Sequence, residues 1–274
     1  RNGETVTIGI PTGLESLDFA LGGGLSEGVI TVLGGRPSMG KSSLARTFAD
    51  NVSAAGHGVH VFSLEDDRQP YVQRALADGA RIDLHALRAL ALKDGETGAF
   101  ISAADHLFRR ANWRIDDRAG LSAAQIAMRV RRHKRELGTK VVIVDYLQLM
   151  SEKGCRDRRA EVEKALRGLQ ELARAEQIAL VVLSQLTRGN ERDGRPPALH
   201  DLRESGEIEQ VAAAVLFVHQ EQPKDAAGKE CGPLRAEVII AKNKHGRRGV
   251  PVPMAWDARC ATYRTLERDR APEW

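Results

Sequence analysis

Aromatic side chains, cysteines and long apolar segments are all scarce in this chain of 274 residues. Phenylalanine, tryptophan and tyrosine make up 4% of the residues, too few for a protein that stacks successive bases on aromatic platforms. Cys155, Cys231 and Cys260 form no Cys-x-x-Cys pair, so we expect free thiols in a reducing cytoplasm rather than disulfides or a metal site. No apolar segment is long enough to cross a bilayer, so we expect no membrane partner.

Charge and length set looser limits. Lysine and arginine number 41 against 37 for aspartate and glutamate, which gives a formal net charge of +4. Such a charge is compatible with a polyanionic partner but does not establish one. The length is sufficient for one α/β domain with a sizeable buried core.

Short β-branched segments alternate with helical patterns, an order typical of an α/β fold with a mostly parallel central sheet flanked by helices. After Ala236 the helical patterns stop, which predicts an antiparallel extension at the end of the sheet. Tracts 186–206 and 220–233 are predicted loops, rich in glycine, proline and charge. The clearest predicted strands are Val29–Leu33, Val59–Leu64, Val141–Asp145, Ala179–Ser184, Ala214–His219 and Ala236–Ala241, and the clearest helices are Ser122–Glu136 and Arg159–Glu176.

The strongest motif is GRPSMGKS, which fits G-x-x-x-x-G-K-[S/T] directly after one predicted strand and before a helical segment. This context predicts a P-loop, in which backbone N–H groups and the start of a helix cradle the phosphates of a nucleoside triphosphate. In such a loop Lys41 reaches the β- and γ-phosphates and Ser42 binds Mg²⁺. The predicted cradle consists of Gly35, Arg36, Pro37, Ser38, Met39, Gly40, Lys41, Ser42 and Ser43.

Hydrolysis of the triphosphate also needs an acid that positions the metal and a base that activates water. Asp145 ends an apolar strand and is the candidate for the metal shell. Glu65 ends another apolar strand and is the candidate that polarises the attacking water. Gln185 follows a third strand and is a candidate sensor of the γ-phosphate. Each of the three can also be read as an ordinary polar residue that closes a strand.

These pieces, in this order, resemble the C-terminal motor domain of the DnaB-type replicative DNA helicases, a RecA-like ATPase. The resemblance covers nearly the whole chain, and its most specific segments are VVIVDYLQLM, LSQLTR and RPPALHDLRESGEIEQ. It implies a motor domain over residues 9–274, with residues 1–8 as the end of a linker to a missing N-terminal domain. It also implies a hexameric ring that hydrolyses ATP between subunits and pulls single-stranded DNA through its centre.

Carried over by position, the resemblance gives Lys41, Ser42, Glu65, Asp145 and Gln185 the roles already described. It also implies that the loop with Arg203, Glu204 and Gly206 meets the DNA backbone. Primase and a helicase loader are the further partners that it implies.

One departure concerns the turn AKNKHGRRG, where the family places a lysine and an arginine finger two residues apart. This chain has Lys242 and Lys244, and a lysine offers a point charge where arginine offers a planar fork. We expect the lysine pair to act on the nucleotide of a neighbouring subunit, with Arg247 in reserve. A solvated basic turn between two strands is the alternative.

Two other functions fit parts of the sequence. A RecA- or RadA-like recombination or branch-migration ATPase is favoured by the Lys-Asn-Lys segment but opposed by DYLQLM and RPPALHDLRESG. An ATP-dependent assembly or loading factor would need neither Glu65 nor Gln185.

Overall fold

A single nine-stranded sheet forms the centre of the computed structural model, which describes residues 9–110, 112–187, 195–202, 205–223 and 234–266. In sheet order the strands are β3-β2-β4-β5-β1-β6-β7-β8-β9. The first six in that order are mutually parallel, and β7, β8 and β9 extend the sheet in antiparallel fashion. The strands are β1 Ile30–Gly35, β2 Gly58–Ser63, β3 Trp113–Asp116, β4 Thr139–Asp145, β5 Ala179–Gln185, β6 Ala214–Glu221, β7 Arg235–Asn243, β8 Val250–Asp257 and β9 Thr262–Thr265.

Helices cover both faces of the sheet. The helices are α1 Glu15–Leu21, α2 Lys41–Ala54, α3 Arg68–Ala80, α4 Leu84–Arg88, α5 Glu96–Arg109, α6 Ala123–Leu137, α7 Arg158–Glu176 and α8 Ser205–Val211, with short 3₁₀ turns at Leu147–Leu149 and Leu199–Asp201. Within the described ranges, no helix combines the length and the apolar character that crossing a membrane requires.

Two apolar layers hold the helices to the sheet. Ile126 of α6, Leu169 of α7 and Phe217 of β6 belong to the apolar layer on one face, whereas Phe48 of α2 and Leu216 of β6 belong to the layer on the other. Adjacent residues of β6 thus point into opposite layers, as the two-residue period of a strand requires. The near-continuous apolar strands of the sequence follow from this burial on both faces.

The predicted fold class is confirmed, and all six predicted strands and both predicted helices are present with small shifts at their ends. Strand β3 was not predicted, because its four residues Trp113–Asp116 alternate large and charged side chains at the border of the sheet. The two predicted loop tracts are shorter than expected, since β6 extends to Glu221 and α8 begins at Ser205. Cys155 and Cys260 are free thiols, and Cys231 lies outside the described residues.

The strand register fixes which loops share an end of the sheet. Gly35, where the P-loop begins, is level with Gln185 of β5 and Val218 of β6. At the other end of β1, Thr31 is level with Ala214, which pairs with Asn243 of β7. The P-loop and the turn after β7 therefore leave the sheet at opposite ends, about 13 Å apart along the strands alone.

Candidate active site

The phosphate loop leaves β1 at Gly35 and enters α2 at Lys41. Ser38 and Gly40 have φ angles of 64° and 80°, so two residues of the loop adopt the left-handed conformation. Such conformations curl the backbone and gather N–H groups around one hollow, a geometry that suits phosphate. A Cβ at Gly40 would lie 2.8 Å from the Tyr263 hydroxyl, so this position requires glycine for space as well as conformation.

The C-terminal strands pack against the phosphate loop and support it. The Tyr263 hydroxyl of β9 donates a hydrogen bond to the Met39 carbonyl (2.7 Å) and accepts one from the Gln220 amide (2.6 Å). Tyr263 is buried and packs against the Trp256 ring at 4.7 Å between centroids. The antiparallel extension thus braces the P-loop in addition to widening the sheet.

A second support comes from the segment that follows β5. The Arg36 guanidinium donates to the Arg195 carbonyl (2.7 Å), and Arg195 donates two hydrogen bonds to the buried Asp201 carboxylate (2.6 and 2.7 Å). Burial alone would raise the pKa of Asp201, but the hydrogen bonds from Arg195 and the Ala198 N–H outweigh it and lower that pKa. The P-loop is therefore linked to the chain just before the predicted DNA loop.

Asp145 and Ser42 face each other at the P-loop end of the sheet. Burial raises the pKa of Asp145, while a hydrogen bond from the Ser42 hydroxyl and the charge of Lys41 partly offset that rise. The Oδ1 atom of Asp145 is buried and has no hydrogen-bond partner in the described part of the chain. An orphaned carboxylate oxygen beside a hydroxyl fits Mg²⁺, which usually takes one or two side-chain oxygens and completes its shell with phosphates and water.

Lys41 and Glu65 complete the cluster within one chain. Burial lowers the pKa of Lys41, against the opposing charges of Asp145 and Glu65. Partial burial and the charge of Asp145 raise the pKa of the exposed Glu65, against the effect of Lys41. The structure thus brings together the P-loop lysine, the proposed metal ligands and the proposed base.

Gln185 ends β5 next to this cluster and is positioned by a residue that sequence reasoning missed. The Gln148 side chain accepts a hydrogen bond from the Gln185 N–H (3.4 Å) and donates one to the buried Ser184 hydroxyl (3.1 Å). Gln148 lies in the 3₁₀ turn that follows Asp145. It therefore ties the metal strand β4 to the sensor strand β5, and only its place in DYLQLM marks it in the sequence.

The three predicted trans residues lie apart from this cluster, at the opposite end of the sheet. The Lys242 amino group donates to the Glu209 carbonyl in α8, and burial together with the charge of Lys244 lowers the pKa of Lys242. The side chains of Lys244 and Arg247 are exposed in the turn between β7 and β8. The structure therefore does not bring these residues to Lys41 of the same chain.

Of the predicted DNA-contact residues, Arg203 and Glu204 lie outside the described residues. Gly206 is exposed in the first turn of α8, and no other part of the described chain, apart from its own helix, lies within 4 Å of the place where its Cβ would be. Its backbone is open to a close ligand.

The family model for the DnaB-like helicase C-terminal domain matches residues 9–265. The chain belongs to this family. The replicative DNA helicase DnaB of Leifsonia xyli subsp. xyli is 38% identical over 242 residues, which cover 87% of this chain and 52% of that protein. The replicative DNA helicase DnaC of Bacillus subtilis is 34% identical over 264 residues, 95% of this chain and 57% of that protein. This DnaB-like chain thus spans about half the length of the curated relatives that it matches.

Solved structures agree with this assignment. The ATPase domain of G40P superposes with a TM-score of 0.87 at 29% identity, over 97% of this chain and 94% of that one. A DnaB-like replicative helicase, studied with its interactions with primase, superposes with a TM-score of 0.88 at 29% identity, over 97% of this chain and 64% of that one. The predicted RecA-like ATPase fold is confirmed, and membership of this DnaB-like family implies that the chain uses nucleotide.

Proposed function

We propose that this chain is the motor of a replicative DNA helicase, which hydrolyses ATP at subunit interfaces to move along single-stranded DNA and unwind duplex. The observation that carries the proposal is the placement of two half-sites at opposite ends of one sheet, the P-loop cluster at one and the basic turn at the other. A turn that cannot reach its own P-loop is suited to complete the pocket of a neighbouring copy. Repeated head-to-tail contacts of this kind form a ring when the rotation between neighbours closes, and an open filament when it does not.

Within one chain, the backbone of residues 35–43 would hold the triphosphate, with Lys41 donating to the β- and γ-phosphate oxygens. Ser42 and Asp145 would hold Mg²⁺, and the unpartnered Oδ1 atom of Asp145 supports this assignment. When bound, Mg²⁺ neutralises charge that develops on the phosphate oxygens during transfer. The half-buried Lys41 adds a cation whose field is less weakened by water than that of an exposed lysine.

Glu65 would accept a proton from the attacking water. A general base works best when its pKa approaches the operating pH, and the surroundings of Glu65 raise its pKa in that direction. Gln185 would donate a hydrogen bond to the γ-phosphate and sense its loss. The Gln185 backbone N–H donates to the Gln148 side chain, so this contact would transmit a displacement of Gln185 at the γ-phosphate to Gln148.

The neighbouring subunit would supply Lys244 and Arg247 from its exposed turn, with Lys242 behind them on β7. Cations from a second chain stabilise charge on the γ-phosphate only after assembly, so turnover depends on the oligomer. We propose a homohexameric ring in the cytoplasm, with primase and a helicase loader as further partners. The solved relative studied with primase supports the first of these partners.

Single-stranded DNA would pass along Arg203, Glu204 and Gly206. The open space at Gly206 supports close approach of a phosphate to the backbone. Contacts to phosphates position the strand without reading its sequence, as a motor that moves along any sequence requires.

Strand displacement on a forked duplex tests the proposal. We expect the wild-type chain to displace the strand in the presence of ATP, and Glu65→Gln to abolish displacement while it still binds nucleotide. Asp67→Asn removes another exposed carboxylate two positions away and should leave displacement intact. A wild-type chain that binds ATP and DNA but displaces nothing would contradict the helicase assignment.

The Lys242-Asn243-Lys244 segment favours one second candidate, a RecA-like recombinase or branch-migration ATPase. The same assay separates the two functions when it includes a homologous duplex. Pairing of DNA strands without displacement from the fork would support the recombinase. Nucleotide-dependent assembly that is unchanged by Glu65→Gln, with no action on DNA, would support an assembly or loading factor.

A further inference from the structure

The proposed DNA-contact residues are flanked by two fixed points. On the N-terminal side, Leu202 forms a β-bridge with Leu186, and the Thr187 N–H donates to the Asp201 carbonyl at 2.7 Å. Leu186 directly follows the proposed sensor Gln185, so this side is tied to the end of β5. On the C-terminal side, the next residue after Gly206 is Glu207, whose side chain reaches across to α7.

Glu207 accepts two hydrogen bonds from one arginine. The Nε and Nη2 atoms of Arg159 lie 2.8 and 2.5 Å from the Glu207 Oε1 atom. The Glu207 side chain is only 15% exposed, whereas that of Arg159 is 71% exposed. A largely covered carboxylate next to Gly206 is thus held by an arginine that approaches from the solvent side.

Arg159 lies at the start of α7. The residue before it, Arg158, contacts the 3₁₀ turn that follows Asp145. The Arg158 guanidinium donates to the Met150 carbonyl (3.1 Å) and to the Gln148 carbonyl. Asp157 caps the same helix by accepting from the Ala160 N–H (2.8 Å). The first turn of α7 is therefore fixed to the 3₁₀ turn that carries Gln148.

Gln148 completes the connection, because its side chain contacts Ser184 and the Gln185 N–H. Polar contacts thus run from the sensor strand through Gln148 to Arg158, and the next residue of the same helix turn, Arg159, continues the connection to Glu207. It reaches the C-terminal side of the DNA-contact residues, while the Leu186–Leu202 bridge reaches their N-terminal side.

We propose that Arg159 is a positioning residue that couples the nucleotide sensor to DNA by holding Glu207, and with it Gly206, to the first turn of α7. The inference rests on the proposed function, since it assigns a use to the DNA-contact segment. It predicts that Arg159 governs how strongly DNA stimulates turnover, without touching ATP or the reacting atoms.

A second arginine on α7 provides a matched control. The Nη2 atom of Arg167 lies 2.5 Å from the Glu163 Oε1 atom, and its side chain is 70% exposed. This pair lies within α7 and joins it to no other element of the described chain. Both arginine side chains lie mostly in solvent, so neither Arg159→Ala nor Arg167→Ala should change the thermal midpoint much.

The experiment compares ATP turnover with and without saturating oligodeoxythymidylate for the wild type, Arg159→Ala, Arg167→Ala and the double variant Arg159→Glu with Glu207→Arg. We expect Arg159→Ala to keep its DNA-free turnover, but its stimulation by DNA should fall by about threefold or more. Arg167→Ala should behave as the wild type. The charge-reversed double variant should regain most of the lost stimulation, because it restores the ion pair.

Equal stimulation in Arg159→Ala and Arg167→Ala would overturn the inference and leave the proposed function standing. Failure of the double variant to regain stimulation, at an unchanged thermal midpoint, would overturn it in the same way. A wild-type chain that hydrolyses ATP but gains nothing from DNA would instead contradict the proposed function itself, and the inference would fail with it.

Discussion

Lys41 and Lys244 illustrate two regions of the molecule that are proposed to act on the same phosphates from opposite sides. Lys41 belongs to the P-loop cluster, where its side chain is half-buried, burial lowers its pKa, and the charges of Asp145 and Glu65 oppose that shift. Lys244 lies in an exposed turn, and its backbone N–H donates a hydrogen bond to the Ala213 carbonyl (2.9 Å). Under the proposed function, Lys41 already has its working surroundings within one chain, whereas Lys244 acquires them only against a second chain.

The proposed function therefore assigns nucleotide binding to the first region and the control of catalysis by assembly to the second. The P-loop cluster has its supports in place, with Tyr263 under Met39 and Arg195 against Arg36. A preorganised site of this kind can bind nucleotide in a single subunit. In the proposed ring the turn adds its charge only after assembly, so binding and turnover should respond differently to variants in the two regions.

The largest expected effect is in the P-loop cluster, at Asp145. Asp145→Asn should lower turnover by about 10³-fold, because it removes the proposed metal carboxylate. Burial raises the pKa of Asp145 above its ordinary value of 3.8, so folding favours the protonated form. The ionised carboxylate therefore lowers the free energy of unfolding at neutral pH, and Asp145→Asn should unfold at an equal or higher temperature. Steady-state kinetics and thermal melts check both parts, and a lower melting temperature would contradict this account of the site.

The basic turn between β7 and β8 should show the next largest effect. Together, Lys244→Ala and Arg247→Ala should lower turnover by about 10²-fold, because two cations near the γ-phosphate are lost. Nucleotide affinity at low protein concentration should stay within about twofold of the wild type, since one chain binds without its neighbour. Arg248→Ala in the same turn is the control. Loss of nucleotide affinity in the double variant at low concentration would remove the distinction between the two regions.

A moderate effect is expected at Tyr263. Tyr263→Phe removes the hydrogen bonds to Met39 and Gln220, each of which contributes about 1 kcal/mol to stability. KM for ATP should rise about fivefold and the thermal midpoint should fall. Tyr71→Phe is a matched control, because the buried Tyr71 hydroxyl has no hydrogen-bond partner in the described part of the chain. Equal behaviour of the two variants would show that the brace under the P-loop is unimportant.

The smallest expected effect is a shift in pH dependence. Glu65 must be ionised to act as the proposed base, so activity should be lost as the pH falls through its pKa. The charge of Asp66 contributes to raising that pKa, after burial and Asp145. Asp66→Asn should therefore move the acid limb of kcat/KM to lower pH, whereas Asp67→Asn should move it less. An acid limb that stays in place or moves to higher pH would argue against Glu65 as the base.

The sequence was most informative about the parts of the site whose residues are close together along the chain. The positions of the P-loop, Glu65 and Asp145 were predictable because each lies at the end of an apolar strand, and parallel strands end together. Tyr263 lies 224 positions from Met39, so its support of the P-loop was not predictable from spacing.

Other parts of the site depend on packing that no local pattern encodes. The contact that Gln148 makes between β4 and β5 could not be predicted from the sequence, because its partners Ser184 and Gln185 are more than 30 positions away. The antiparallel extension was predicted, but the sequence did not indicate that its register places Lys244 at the far end of the sheet from the P-loop. The DNA-contact roles of Arg203 and Glu204 stay predictions.

The most direct test of a pocket shared between two chains mixes two inactive proteins. Lys41→Ala lacks the P-loop lysine but has an intact turn, and a variant with Lys242, Lys244 and Arg247 changed to Ala has the reverse defect. When the two are mixed in equal amounts, random assembly places intact halves together at about one quarter of the interfaces. We predict that ATP turnover recovers toward that fraction of the wild-type rate. No recovery in mixtures that form oligomers would contradict the shared pocket.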